Sequence, residues 1–254
     1  FGKYGIPAPD DPAYHTNKET HPFQWIAFNR WKTEKFVTSR QLMRTTLQSI
    51  APRITYIPCN FWTMRAFIPY DFDRMAECGD AIQCDPYPGS GETRYGRGLY
   101  TVGFTTKLIR DLTGLPTWCY VQAWDYDNCS PEPDDLRAWV SQALKVGATG
   151  INLYEENSPR LTNPKRYAAM LRIAAFVTRM NKVAVPEAAD TAIFYSSASH
   201  GAEGACCRGD EVYTAYSLVG ERAGSWFDFV SDSQLVSGKR RLADYRVIYI
   251  PLAT

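Results

Sequence analysis

Amides, carboxylates and aromatic rings cluster at four points where short β-rich runs end. They are Asn60 with Phe61 and Trp62, Asp85 with Tyr87, Gln122 with Trp124 and Asp125, and Glu155 with Glu156. Carboxyl groups at such positions serve as proton donors, bases or nucleophiles, and amides hold hydroxyl groups. Flat rings cover the apolar face of a polyhydroxylated ring, so the set suits a sugar-like ligand. Asp85 precedes Pro86 and equally suits a strand terminator that caps a turn. Trp62 and Trp124 equally suit loop anchors, and Asn60 a turn. Glu155 and Glu156 are consecutive, so one of them faces the site and the other solvent. His15, His21 and His200 are scattered among polar residues, where surface roles are the default, and no order of Ser, His and Asp suggests a nucleophilic triad.

These positions follow from alternating strand and helix patterns, the signature of parallel βα units. The first strand reads as Ile54–Cys59, after a helix with Trp25, Phe28, Phe36, Met43, Leu47 and Ile50 mainly on one face. Asp80–Cys84 follows, then a helix with Leu99, Val102, Ile109 and Leu112 at helical spacing, closed by Gly114 and Pro116. Thr117–Trp124 is the third strand, and its helix starts near Pro133 and ends at Gly147. Thr149–Tyr154 is the fourth, with a helix carrying Tyr167, Met170, Leu171, Ala174 and Val177 as a stripe. Four such units make half of a (β/α)₈ barrel, whose catalytic groups sit at the C-terminal strand ends.

Beyond Val185-Pro186 the texture changes. Strands are expected at Thr191–Ser196, Trp226–Val230 and Tyr245–Ile250, with a loop of small residues over Ser197–Gly209 and a helix from about Asp210 to Arg222. Residues 1–185 are therefore read as a catalytic-type half barrel, and residues 186–254 as the start of a second α/β domain. That second domain lacks G-x-G-x-x-G, so assembly is expected of it rather than nucleotide binding.

Lys and Arg number 28 against 27 Asp and Glu, which supplies no net field to gather nucleic acid or an anionic membrane. No apolar run approaches the roughly 20 residues of a membrane helix. Neither a signal peptide nor an initiating Met is visible, so the chain is expected to be an internal fragment, with its localisation unreadable. The seven cysteines lack metal-ligand spacing, so no metal or other cofactor is expected, and buried reduced thiols are the favoured state.

The chain resembles the family 42 glycoside hydrolases of the large retaining clan. The resemblance is carried by Trp25 to Trp31, Ile57-Pro-Cys-Asn60, Asp71 to Met75, and Gly79-Asp80 leading to Asp85-Pro-Tyr-Pro88. Pro116 to Trp124, Gly147-Ala-Thr-Gly-Ile151, Ala192–Tyr195 and Tyr245 to Pro251 complete it. No single motif is specific; their order and spacing are. The resemblance implies a β-galactosidase-type enzyme acting on a carbohydrate. Its fold would be a TIM barrel followed by a flavodoxin-like domain that mediates oligomer formation. The four visible strands would be the fifth to eighth, and the acid/base carboxyl would lie on a strand preceding Phe1. The nucleophile position would fall on Gln122, a departure, because an amide is a poor nucleophile. Asp125 or Asp127 beside it, or Glu155, would then serve as the working carboxylate, unless the protein binds sugar without cleaving it. Asn60, Trp62, Asp85, Tyr87, Gln122 and Trp124 would bind substrate. The four strands hold no Lys for a Schiff base, and the acidic turns after the last two would repel phosphate, which disfavours other barrel chemistries.

Overall fold

The computed structural model describes residues 2–5, 7, 19–61, 71–88, 98–125, 130–155, 163–180, 183–203 and 209–251. Its first layer is a parallel sheet in the order β1 (Cys59–Phe61), β2 (Ile82–Asp85), β3 (Thr117–Gln122), β4 (Gly150–Tyr154). Its second is a parallel sheet with β5 (Thr191–Tyr195) in the centre, flanked by β6 (Asp228–Ser231) and β7 (Val247–Tyr249). Helices α1 (Pro22–Ile50), α2 (Phe72–Met75), α3 (Thr101–Thr113), α4 (Pro133–Lys145) and α5 (Pro164–Arg179) belong to the first layer. The second carries α6 (Ser197–Glu203), α7 (Gly209–Tyr216), which runs on into a π-helical turn at Ser217–Arg222, and α8 (Asp232–Val236). No helix among the described residues is long and apolar enough to cross a membrane.

Side chains alternate across each strand. Ile82 and Cys84 of β2, and Cys119 and Val121 of β3, join Val102, Leu108, Ile109 and Leu112 of α3 and Leu136, Val140 and Ala143 of α4 in one core. The Cys84 thiol lies 3.8 Å from the Thr106 hydroxyl of α3, which fixes the helix side of β2. Gln83 and Asp85, Trp118, Tyr120 and Gln122, and Asn152 and Tyr154 therefore share the opposite face.

Helix α3 lies between the two sheets, and every residue of it but Arg110 is buried, as a helix packed on all sides must be. Gly114, at φ +70°, ends it in the left-handed conformation and donates its N–H to the Arg110 carbonyl at 2.8 Å. Gly103 is required by a close approach, because a Cβ there would stand 2.4 Å from the Tyr216 hydroxyl. Phe104 meets Tyr213, Tyr216 and Phe229 edge-on at 5.4, 5.6 and 5.8 Å. The Phe229 N–H donates to Asp111 Oδ2 at 3.0 Å, and Gln234 Nε2 donates to the carbonyls of Asp111 and Leu112 at 3.0 and 3.1 Å. Asp111 also takes a 2.8 Å bond from Lys107, whose ammonium sits 4.1 Å from the Trp226 ring centre.

Several elements differ from the sequence expectation. Ladder pairing in β1 starts only at Cys59, because Pro58 has no N–H to give and the Tyr56 N–H goes to the Asp80 carboxylate at 2.9 Å. The small-residue segment expected as a loop is helical over Ser197–Glu203. Asp232 accepts the first two N–H groups, from Ser197 and Ala198, at 3.2 and 3.1 Å, a cap supplied from the neighbouring strand end. In α5 the buried face holds Arg166, Ala169 and Ile173, while Leu171 is exposed, because the Arg166 guanidinium and not the apolar stripe sets the helix rotation. Leu99 precedes α3 and faces outward. His200, expected at the surface, is buried. Cys78, Cys84 and Cys119 are buried free thiols and Cys59 a half-buried one; Cys129, Cys206 and Cys207 lie outside the described residues.

The Lys107 and Asp111 side chains are 1% and 3% exposed, so removing Asp111 leaves the Lys107 ammonium buried without its carboxylate, whereas Asp111 also has the half-exposed Arg110 at 3.2 Å. Asp111→Ala will destabilise the chain by about 3–5 kcal/mol in urea unfolding, whereas the paired change Lys107→Met with Asp111→Leu will cost clearly less. Equal losses from the two variants would show that the pair does not hold the layers together.

Candidate functional site

The C-terminal ends of β1 to β4 lie along one edge of the first sheet. Asn60 pairs with Cys84 and Phe61 with Asp85 across β1 and β2, and Gln122 pairs with Tyr154 across β3 and β4. Parallel pairing in register thus brings the strand-end residues to one side. Trp62, Asp127 and Glu156 lie outside the described residues.

Asp85 is 9% exposed, and its Oδ1 has no hydrogen-bond partner among the described residues. Burial raises its carboxyl to about 7, against the opposing pull of bonds from its own backbone N–H, the Tyr87 hydroxyl and the Cys59 thiol. The effect is mutual: burial, and then the Asp85 charge, pushes the Cys59 thiol up to about 12 and also raises the Tyr87 phenol. A carboxyl raised in this way can donate a hydrogen bond as well as accept one.

Beside Asp85 the rings form a corner. Trp124 stands edge-on to Tyr87 at 4.4 Å and to Tyr154 at 5.0 Å, while Tyr87 and Tyr154 lie within 20° of parallel at 6.3 Å. Tyr120 adds an edge contact to Tyr154 at 5.7 Å. Trp124 is only 2% exposed, so it supports the corner, whereas Tyr154, at 37%, presents an open surface. Strand ends alone do not single out Tyr120 and Tyr154 as site residues. Their signal is the alternation Trp118, Tyr120, Gln122 in β3 and Asn152, Tyr154 in β4, which puts these side chains on the face away from the helices.

Gln122 is fully buried, and its Nε2 donates to the Trp124 carbonyl at 3.1 Å. The amide thereby pins the strand-end turn that carries the indole. Asp125, by contrast, has a side chain 59% exposed and bonded to Arg166 Nη2 at 2.6 Å. Partial burial raises its carboxyl, but the Ser130 hydroxyl and the Arg166 guanidinium together outweigh that and hold it below its ordinary value. The Glu155 side chain is 8% exposed, with Oε2 3.9 Å from Arg166 Nη1.

Arg166 ties these pieces together, and nothing in the sequence marks it out from other helix arginines. Its guanidinium, 1% exposed, donates to the Pro131 carbonyl at 2.8 Å, the Ala123 carbonyl at 3.2 Å and the Ser130 hydroxyl at 2.8 Å as well as to Asp125. The planar fork thus spans the turn after β3 and the acid after β4, a task for which Lys lacks the geometry. Among the described residues no group of three His, Cys, Asp or Glu is arranged to hold a metal ion.

The chain is similar in structure to several solved enzymes. The β-galactosidase of the psychrophilic Marinomonas ef1 is 16% identical, with a TM-score of 0.67 over 91% of this chain. A catalytic mutant of a family 42 β-galactosidase from G. stearothermophilus is 16% identical, with 0.71 over 96%. The β-galactosidase of the haloarchaeon Halorubrum lacusprofundi is 17% identical, with 0.70 over 96%. The chain spans 41%, 39% and 40% of those three proteins. A family 5 glycoside hydrolase from Streptomyces cattleya, solved with Manβ1-4GlcNAc, is 14% identical, with a TM-score of 0.58 over 97% of this chain and 64% of its own. No curated protein matches. The α/β fold is thus similar to that of family 42 and family 5 barrel enzymes. The sequence pattern of glycoside hydrolase family 42, described as beta-galactosidase, matches residues 5–184, and the chain belongs to that family.

Proposed function

We propose that this chain supplies half of the active centre of a glycoside hydrolase that cleaves O-glycosidic bonds of the β-galactoside type. The observation that carries this reading is the buried Asp85 carboxyl, raised to about 7, beside the Tyr87–Trp124–Tyr154 corner at the C-terminal strand ends. Aromatic planes beside carboxyl groups are what sugar rings require. Under this reading residues 1–185 are the second half of a (β/α)₈ barrel. Residues 186–254, with strand order β6-β5-β7, begin a flavodoxin-like domain through which copies assemble. Glu155, held beside Arg166, is the foremost candidate for the working carboxylate, and Asp125, already neutralised by that arginine, is the weaker one. Asn60, Trp62, Asp85, Tyr87 and Trp124 bind the sugar, and Gln122 braces Trp124 from behind.

A second reading, binding without cleavage, is favoured by Gln122 itself, because the amide that the resemblance sets against the family's nucleophile is already bonded to a main-chain carbonyl. Both carboxyl groups of a retaining glycosidase must be present for the covalent route. The 254-residue chain alone will therefore release no phenol from aryl β-galactosides, and a version carrying four preceding strands will. Turnover by the chain alone would place every catalytic group within it, and galactoside binding without turnover by the longer form would establish the second reading.

Asp85 makes a separate prediction. Its folded value of about 7 lies above the ordinary carboxyl value of about 4, so the folded chain holds the proton more tightly than the unfolded one. The resulting stabilisation is complete below about pH 4 and is lost as the pH rises through about 7. Relative to Asp85→Asn, whose midpoint lacks this dependence, the native chain will lose thermal stability across that window. Parallel profiles for the two proteins would mean that Asp85 is ionised throughout.

A further inference from the structure

A cavity of about 350 Å³ lies at the other end of the first sheet from the strand-end site. Thr117 begins β3 and Thr149 directly precedes β4, so the cavity stands about 16 Å from the Gln122 end of β3, at roughly 3.3 Å per residue. Asp228, which begins β6, and Arg240, which follows α8, line it from the second layer. Both layers therefore enclose one space of the size that small ligands occupy, at the kind of junction where such sites concentrate.

The polar groups of this lining are held in place and only partly used. Arg110, the one residue of α3 that is not buried, lines the cavity. Its Nη1 reaches Asp111 Oδ1 at 3.2 Å, and Gly147, at φ +91°, turns bare main chain to its Nε, where a Cβ would come within 3.0 Å. Asp111 is spent on Arg110, Lys107 and the Phe229 N–H. In the second layer Arg240 Nη1 donates to Asp228 Oδ2 at 3.3 Å, and the Tyr245 hydroxyl donates to the same oxygen at 3.1 Å. Among the described residues Asp228 Oδ1 takes no hydrogen bond, and Nε and Nη2 of both arginines give none. Thr117 and Thr149 donate their hydroxyl protons to the Leu115 and Thr117 carbonyls at 3.1 and 3.3 Å, which leaves both oxygens able to accept. Glu187 adds an exposed carboxylate.

Arg110, Arg240 and Lys107, the last behind Asp111, balance the charges of Asp111, Asp228 and Glu187, so the cavity has no net field that selects an anion or a cation. It offers unused donors beside unused acceptors instead, and a hydroxyl group both donates and accepts. We propose that this cavity binds a neutral polyol of monosaccharide size, whose hydroxyls accept from Arg110 and Arg240 and donate to Asp228 Oδ1, Glu187 and the threonine oxygens. Leu115, Pro116 and Pro186 supply an apolar wall for its C–H face. The site is separate from the strand-end centre and does not depend on the activity proposed there. Because both layers line it, occupancy stabilises their junction.

The test uses the whole 254-residue chain and follows the arginine Nε–H signals by NMR, with Arg110 and Arg240 assigned through Arg110→Lys and Arg240→Lys. D-galactose will shift both signals saturably. Arg240→Lys keeps the charge beside Asp228 but loses the fork, so that variant will fold normally and bind galactose about tenfold more weakly, read from the Arg110 signal. Glu187→Ala, at an exposed position, will weaken binding as well. Tyr154→Ala, at the opposite strand ends, will leave the shifts and their saturation unchanged. The proposal fails if galactose leaves both signals unmoved, if Arg240→Lys or Glu187→Ala binds it as tightly as the native chain, or if Tyr154→Ala abolishes the shifts. Saturation by inorganic phosphate in place of galactose would make the cavity an anion site and equally overturn it.

Discussion

The Lys107–Asp111 pair inside α3 is the interaction on which both layers depend. One face of α3 packs on β2 and β3, the strands that end in Asp85 and Gln122, and the other receives Phe229 and Gln234 of the second layer. A helix in that position needs hydrogen-bond acceptors inside the protein, because the second sheet brings main-chain N–H groups to it. Asp111 meets the need, and a buried carboxylate then requires a buried cation. Lys107 supplies it one helical turn away, its ammonium further covered by the Trp226 and Phe227 rings at 4.1 and 4.9 Å. Such a pair contributes less to net stability than to fixing one arrangement of the layers, since few other groups satisfy both charges.

The same economy of buried charge shapes the strand-end site. Arg166 is almost wholly buried, yet five acceptors converge on or near it, from the Ala123 and Pro131 carbonyls to Ser130, Asp125 and Glu155. The turn after β3 is thereby fixed from beneath by the guanidinium and from the strand by Gln122. Asp85 forms no ion pair among the described residues, and burial raises its carboxyl to about 7. Two kinds of carboxyl result within one site, one compensated by charge and one compensated by protonation.

The two layers also differ in how their strand ends are completed. In the first, aromatic rings cover one another and leave Tyr154 facing outward. In the second, Tyr195 and His200 stay buried with polar atoms unmatched among the described residues, next to Asp71, Asp73 and Asp232. Asp73 of α2, in the first layer, accepts from the Ser231 hydroxyl of β6, a further tie across the junction that α3 maintains.

Alternation of strand and helix patterns, the Pro and Gly punctuation at Pro116 and Gly114, and the ends of the parallel strands were all legible in the sequence, because they rest on period and local backbone preference. The order of motifs from Trp25 to Ile151 carried the family in the same way. Candidate positions such as Asp85, Gln122 and Glu155 followed from strand ends alone. What each side chain does there was not legible. Gln122 reads as a failed nucleophile in sequence and is a fully buried brace in the fold, and Arg166 reads as one more helix arginine and is the hub of a loop. Ser197–Glu203 reads as a loop and is helical, since its cap comes from Asp232, 35 residues away. Local pattern shows which elements alternate and roughly where they lie, but the buried face of α5 and the helix at Ser197–Glu203 were not in it. Burial, charge pairing and caps depend on residues distant in sequence, and only the tertiary structure brings those together.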